Sequence, residues 1–407
     1  MGNEKFFQTK KLKYIANVLD QFRKPITADK RNQNADVLYD YYGASGVIDK
    51  IDGYTIDDHV MLIGEDGANL RLRNLPLMYE VNGKAWINNH AHILKPKVGT
   101  DFYFLFYALE SIDINPYVTG SAQPKLNQEN LKEIPVPFPP IDEQKKIANF
   151  LDEKCSEIDS ILSDVQREIE ILNDYKKSVI TEAVTKGLNS KAKLKDTGIE
   201  WIGKIPEEWD VVPIKRVLKD IKDGTHATFN RVAEGLFLLS AKNVFDDGIH
   251  IGNNESCISE NDYLSIIANG FPKRNDVLLS IVGTIGRCCV YQEDKPMAFQ
   301  RSVAFLRANE KILPYFLVYS LRSRATEEEE KQKINGTAQM GLYLGDVCSL
   351  RIAVPPLSEQ EAIADYLDEK CSEIDATIAD KQRQLETLDE YKKSLIFEYV
   401  TGKKEVS

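Results

Sequence analysis

Residues 131–188 recur as residues 347–404 at a constant offset of 216, and both copies contain the string Leu-Asp-Glu-Lys-Cys-Ser-Glu-Ile-Asp. From Pro139-Pro140 and Pro355-Pro356 onward, 28 of 50 aligned positions are identical, far more than shared composition would produce. A period of this length is too long for a solenoid unit. It describes a domain followed by a long element, present twice in tandem.

The long element reads as a helix. Leu151, Cys155, Ile158, Leu162, Val165, Ile169, Leu172 and then Val179 follow one another at the steps of a coiled-coil seam. The second copy offers Leu367, Cys371, Ile374, Ile378, Leu385, Leu388 and Leu395, with Lys381 in place of Val165 as a charged position that helps to fix register. Asp142 and Ser358 stand where N-caps are expected, Ser358 with Glu361 has capping-box spacing, and Gly187 and Gly402 mark the stops. A helix of about 45 residues extends roughly 65 Å and needs a partner along its seam. The other copy is the nearest candidate. Antiparallel pairing would place one domain at each end and relate the halves by a pseudo-two-fold axis. Taken alone, the pattern also suits an elongated structural hairpin.

Among the 407 residues there is no apolar run long enough to cross a membrane, and the start, Met-Gly-Asn-Glu-Lys-Phe-Phe, lacks an export signal. The cytoplasm is the expected location. The six cysteines (155, 257, 288, 289, 348 and 371) include no C-x-x-C pair, which excludes the usual zinc arrangements and suits a reducing compartment.

The net charge of −11 argues at first against a polyanionic ligand. However, residues 141–190 hold 7 basic and 11 acidic side chains and residues 357–407 hold 7 and 13, so the helices carry ten of the eleven excess charges. The remainder is nearly neutral and free to gather its cations on one face.

The expected organisation is a first domain over 1–140, a helix over 141–190, a second domain over 191–356 and a helix over 357–407. The two domains share an order of features. An apolar strand runs into a glycine turn at Val60–Gly67 and again at Val277–Gly286, and these turns suit tight hairpins or close approach to phosphate. A polar lead enters a strand at Asn88–Lys95 and at Gln300–Arg307, and a helix is expected after each. Small-residue turns follow, Gly120-Ser-Ala-Gln and Gly336-Thr-Ala-Gln, with Gln123 and Gln339 at matching positions beside the long helices. The expectation is a mixed α/β (α+β) class: two related domains on one frame with divergent faces, separated by two long helices that form an antiparallel coiled coil.

Some local strings invite chemistry. His90-Ala-His92 on a strand would put two imidazoles on one face, and Asp57-Asp58-His59 suggests a similar idea, but no companion ligand motif accompanies them and no metal site is expected. Asn115-Pro116-Tyr117 lacks the second proline of the Asn-Pro-Pro-Tyr signature of adenine methyltransferases and reads as a helix-ending turn. There is no G-x-x-x-x-G-K-[ST] string for ATP. No catalytic residue is expected.

Together these features resemble the specificity subunits of type I restriction-modification enzymes across nearly the whole chain. The resemblance is carried by the Pro-Pro-x-x-Glu-Gln starts at 139–144 and 355–360, the duplicated helices and the turns at 120 and 336. Tyr41–Ile48, Gly64–Asn69 and Gly198–Trp209 add to it, although the last string, Gly-Ile-Glu-Trp-Ile-Gly, precedes only the second domain, which leaves the start of the first open. The resemblance implies that each domain reads half of a split target in double-stranded DNA while the helices set the spacing and bind two modification (methyltransferase) subunits. Those subunits would bring S-adenosylmethionine and methylate adenine. Two restriction subunits, where they join, would add ATP- and Mg-dependent translocation and cleavage. No cofactor is expected on this chain. Half-site centres about one turn of DNA apart, roughly 34 Å, are closer than the helix is long, so inward-leaning domains or bent DNA are expected.

Because base edges are read by Arg, Lys, Asn and Gln while other contacts fix position on phosphates, the candidates for DNA contact in the first domain are Asn69, Arg71, Arg73, Lys84, Asn88, Asn89 and His90. In the second they are His226, Thr228, Asn230, Arg231, Lys242, Asn243, Arg287, Gln300 and Arg301. The competing readings are a coiled-coil scaffold without DNA specificity and a self-contained methyltransferase or nuclease.

Overall fold

The computed structural model describes residues 6–31, 36–293, 295–334 and 341–406. Contacts divide the chain into two units: unit 1, Met1–Gln166 with Arg383–Ser407, and unit 2, Arg167–Gln382. Each contains one globular domain and part of both long helices. The first connector helix is Ile141–Lys186 and the second is Leu357–Thr401.

Unit 1 is built on six strands: β1 (Ala16–Val18), β2 (Tyr39–Gly43), β3 (Gly46–Ile51), β4 (Ile56–Gly64), β5 (Met78–Ile87) and β6 (Ala91–Pro96), in the order β1-β6-β4-β5-β2-β3. All neighbours are antiparallel except β2 and β5. The run Val60–Ile63 is apolar throughout because both faces of β4 are covered. Val60 and Leu62 pack with Val81, Ile87 and Ile93 on one face. Met61 and Ile63 pack on the other with Leu94, Phe104 and Leu105, and that cluster continues into Leu151 and Leu395 of the connector helices. Helix α1 (Phe102–Ser111) follows β6, capped by the Asp101 carboxylate, which accepts from the Phe104 N–H at 3.0 Å.

Unit 2 contains β7 (Leu218–Asp223), β8 (Leu236–Leu239), β9 (Cys257–Ile258), β10 (Val277–Ser280), β11 (Cys288–Val290), β12 (Met297–Phe299) and β13 (Val303–Ala308). Four of them form a sheet in the order β7-β13-β10-β11. It repeats β1-β6-β4-β5 in register: Met61 faces Leu94 as Val277 faces Leu306, and Ile63 faces His92 as Leu279 faces Ala304. The units differ in what is added to this frame. Unit 1 extends its sheet with β2 and β3, whereas unit 2 builds a separate sheet, β9-β8-β12, with β8 and β12 parallel. Helices α2 (Pro314–Arg322) and α3 (Arg324–Lys333) follow β13.

The Pro-Pro-x-x-Glu-Gln strings show why they occur twice. Gln144 and Gln360 are fully buried at the first turn of each connector helix. Gln144 donates to the Pro139 carbonyl at 2.8 Å, and its Oε1 accepts from the Asp101 N–H, one residue before α1, at 2.8 Å. Gln360 donates to the carbonyls of Pro355 (2.9 Å) and Lys311 (2.8 Å) and accepts from the Leu313 N–H, one residue before α2, at 2.8 Å. A second staple lies about two helical turns further on: the Tyr107 hydroxyl donates to Asp152 at 2.7 Å, and the Tyr319 hydroxyl to Asp368 at 2.5 Å. Burial, then the bond to a carboxylate, holds both phenols well above their ordinary range.

The helix starts correct the expected caps. Pro140 and Pro356 hold the cap position, their carbonyls accepting from the N–H groups of Glu143 and Gln144 and of Glu359 and Gln360. Asp142 and Ser358 therefore lie inside the first turn, and the proposed Ser358–Glu361 box does not form the start. The proline fixes the entry geometry, and the acidic first turn still complements the helix dipole. At the other ends Gly187 (φ 72°) and Gly402 (φ 82°) adopt the left-handed conformation that stops each helix.

Within each unit the two connector segments run antiparallel. In unit 1, Phe150 packs on Tyr399 with ring centroids 4.4 Å apart, and Lys392 bridges to Asp159 at 2.6 Å. In unit 2, Lys176 bridges to Asp375 at 2.6 Å, and Lys381 reaches Glu168 at 2.5 Å. Leu151, Cys155, Ile158, Val165, Ile169, Leu367, Cys371, Ile374, Ile378 and Leu395 are buried. Leu162, Leu172, Val179, Leu385 and Leu388 are half-buried. No described helix is long and apolar enough to cross a membrane.

Candidate nucleic-acid interface

The three features shared by the domains converge at one end of the common frame. In unit 1 the Glu65 N–H donates to His90 O (2.8 Å), the Leu126 N–H to Glu65 O (2.7 Å) and the Gly67 N–H to Pro124 O (3.1 Å), so the glycine turn, the polar lead and the Gly120–Lys125 turn form one surface. Two glycines make this possible. A Cβ at Gly64 would lie 2.7 Å from Ala44 O, and one at Gly120, whose φ is 78°, would lie 2.3 Å from Gln123 O. Gln123 is exposed, and its turn is bonded to the Glu65–Gly67 loop through the backbone, in place of the position beside the long helices expected for it.

A charged network underlies this surface. His92 is buried, with Nδ1 2.7 Å from Asp20 and Nε2 2.8 Å from Leu126 O. Gln128 donates to Asp20 at 3.0 Å, Arg23 pairs with both Asp20 and Glu65, and Lys125 lies 3.0 Å from Glu65. Burial opposes the charge on Asp20, but the bonds from His92 and Ile93 outweigh it and hold the carboxyl below its ordinary value. Glu65 is likewise lowered, by Arg23 and Lys125 against burial. His90 turns instead to Asp66 at 2.7 Å. The expected pairing of the two imidazoles on one face is thus replaced by two separate carboxylate contacts. Asp58 and His59 are similarly engaged, with Lys95 and Glu80. No group of three or more His, Cys, Asp or Glu among the described residues is placed to hold a metal.

Unit 2 repeats the convergence with different side chains. The Ile281 N–H donates to Ser302 O (2.9 Å), the Leu342 N–H to Ile281 O (2.8 Å) and the Gln300 N–H to Leu239 O (2.8 Å), while the Arg301 N–H reaches Thr225 O (3.0 Å). Ala241 joins through Ser302 Oγ and Thr284 Oγ1. A cleft of about 450 Å³ opens there, lined by Asp223, His226, Gln300, Arg301, Ser302 and Tyr343 among others. Gly336 and Gln339 lie outside the described residues.

The candidates divide by what their side chains already do. Asn69 closes a turn through Leu75 and Pro76, Arg71 donates to Val118 O and Gly120 O, and Arg73, at φ 52°, donates to Ile112 O and Glu110. Asn88 is buried and accepts from the His90 N–H at 2.7 Å. Asn243 is buried in a capping turn, bonded to Ser240, His250 and Glu255. Lys242 pairs with Glu255 at 3.0 Å, and Arg287 lies 4.7 Å over the Phe245 ring. Lys84 sits on β5 over Tyr54, away from the converging loops. Asn89, His90, His226, Thr228, Asn230, Arg231 and Arg301 are exposed and Gln300 is half-exposed. Sequence reasoning missed Lys125 and Tyr343. Lys125 lies within the first of the two matching turn segments, 120–126, and Tyr343 directly follows the second, 336–342, and that placement was the available signal.

Four of the six cysteines are buried. All six are unpaired, and burial pushes the thiols of Cys288 and Cys289 up to about 12 and that of Cys155 up to about 11.

Comparison with known proteins gives a consistent result. Residues 4–171 and 206–387 match the family described as type I restriction modification DNA specificity domain. The type I restriction enzyme MjaVIII specificity subunit of Methanocaldococcus jannaschii is 30% identical over 318 residues, 76% of this chain and 71% of that protein. The putative type I restriction enzyme specificity subunit S.HindORF215P of Haemophilus influenzae is 26% identical over 362 residues, covering 88% and 86%. A solved chain from work on complex assembly and conformational transition of the type I R-M system shares the fold, with a TM-score of 0.68 over 98% of both chains at 15% identity.

Proposed function

Since the chain belongs to the type I restriction-modification DNA specificity family, whose members are non-catalytic subunits, we propose that each unit reads one half of a bipartite, gapped and asymmetric target in double-stranded DNA. The observation that carries this reading is the common four-stranded frame whose loops converge in the same way in both units but present different side chains. Equal frames related by duplication bring two readers in inverted orientation. Unequal loops make the half-sites differ.

In this reading the paired connector helices set the gap and dock two modification subunits, which supply S-adenosylmethionine and the chemistry of adenine methylation. Restriction subunits, where they join, supply ATP-dependent cleavage. The surface side chains proposed to meet DNA are Asn89, His90 and Lys125 in unit 1 and His226, Thr228, Asn230, Arg231, Lys242, Gln300 and Arg301 in unit 2. Arg71, Arg73 and Arg287 shape the loops that carry them, and Asn69, Asn88 and Asn243 hold those loops closed.

The test is methyl transfer to duplex DNA by purified modification subunits with and without this chain. The expected result is sequence-specific transfer only from the assembled complex. Transfer by this chain alone, or an assembled complex that methylates without sequence preference, would overturn the proposal.

A further inference from the structure

Resting on the DNA-reading role proposed above, we infer that the unit 2 cleft is a base-reading pocket, with Gln300 as a specificity-determining residue and Arg301 as its phosphate anchor. The backbone here is tightly held. Gln300 bonds to Leu239 O and accepts from Val303, Arg301 bonds to Thr225 O, and Gly224 allows the neighbouring strand so close that a Cβ there would lie 2.3 Å from Gln300 O. The side chains are not held. Among the described residues neither the Gln300 carboxamide nor the Arg301 guanidinium has a hydrogen-bond or ion-pair partner. A fixed backbone carrying uncommitted polar groups is the arrangement that binds a ligand without first breaking internal contacts.

Unit 1 supplies the contrast. Asn88 stands three residues before β6 as Gln300 stands three before β13, yet Asn88 is buried and bonded to the His90 N–H. The same frame position closes a loop in one unit and faces a cleft in the other. The carboxamide presents a donor beside an acceptor, which matches the N6 and N7 edge of adenine in the major groove. Arg301 adds a fixed positive charge at the rim. The carboxylate of Asp223 is occupied by His226 at 2.6 Å, and Tyr343, 71% exposed, supplies an apolar wall. Such a pocket selects at one base pair, and the neighbouring cation holds register on the backbone.

The experiment compares wild-type, Gln300→Ala, Gln300→Asn and Arg301→Ala chains, each assembled with the modification subunits, by methylation mapping and by duplex binding across a salt series. Gln300→Ala is expected to relax one position in one half of the target, reducing discrimination there by roughly tenfold to a hundredfold, and to leave the other half unchanged. Arg301→Ala is expected to weaken binding to all sequences and to lower the slope of log K against log salt by about one. If the alanine variant does not assemble, Gln300→Asn, with the same chemistry and a shorter reach, gives the same readout. A Gln300 variant that keeps wild-type discrimination at every position overturns the inference, as does an Arg301 variant with unchanged affinity and slope. A wild-type complex with no sequence preference instead overturns the proposed function itself.

Discussion

Truncating Gln360 to alanine should destabilise unit 2 by about 3 kcal/mol. The side chain is fully buried and joins three backbone groups: the Leu313 N–H, the Lys311 carbonyl and the Pro355 carbonyl. Removing it orphans a donor, at about 1–3 kcal/mol, and deprives two carbonyls of a partner at about 1 kcal/mol or less each. Urea denaturation followed by tryptophan emission is the assay, because Trp201 and the buried Trp209 both belong to unit 2 and Trp209 donates to Glu359, one residue from the staple. With a urea dependence of about 2 kcal/mol per molar, the midpoint should fall by about 1.5 M. Gln360→Glu is the sharper control. It keeps an acceptor for Leu313 but turns a carboxylate toward two carbonyls, so it should be at least as damaging. A loss below about 1 kcal/mol in the alanine variant, or a well-tolerated glutamate, would refute the argument that this residue ties the recognition domain to its helix.

Two further outcomes are expected. Glu330 is buried, with one oxygen lacking a hydrogen-bond partner, and burial, then the charge on Glu327, raises its carboxyl to about 7. The folded protein therefore holds this proton more tightly than the unfolded chain, and stability should fall as pH rises from about 4.5 to about 7, by about 3 kcal/mol in total; Glu330→Gln should flatten that decline in pH-dependent denaturation, and an unchanged profile would count against the assignment. Removing seven residues from each connector helix at matching positions should shorten the target gap by about three base pairs, since seven helical residues span about 10 Å, and should leave the half-sites as they are; methylation mapping of the shortened chain would reveal an unaltered gap if the helices do not set it.

Much of this fold is legible in the sequence for identifiable reasons. A long helix must repeat its apolar positions every three or four residues, and its stops need the left-handed backbone that Gly187 and Gly402 adopt. The duplication then exposes the staples at Gln144 and Gln360, although only the structure explains them. Helix starts misled because Pro140 and Pro356 take the cap position from the more obvious Asp142 and Ser358. The converging loops were legible in the sequence as loops, but the state of their side chains was not. Asn88 and Gln300 look alike in a string, and only packing shows that one closes a turn and the other faces a cleft. The added elements, β2 and β3 in unit 1 and β8, β9 and β12 in unit 2, escaped notice because short strands with mixed patterns carry little periodic signal.

The most direct test of the central claim is genome-wide adenine methylation mapping in cells that express this chain with its modification partner, alongside cells in which residues 191–356 have been exchanged for those of a relative. The predicted result is a gapped, asymmetric motif that requires this chain, with only one half altered by the exchange. A complex that forms but yields no motif, or an exchange that rewrites both halves together, would contradict the account.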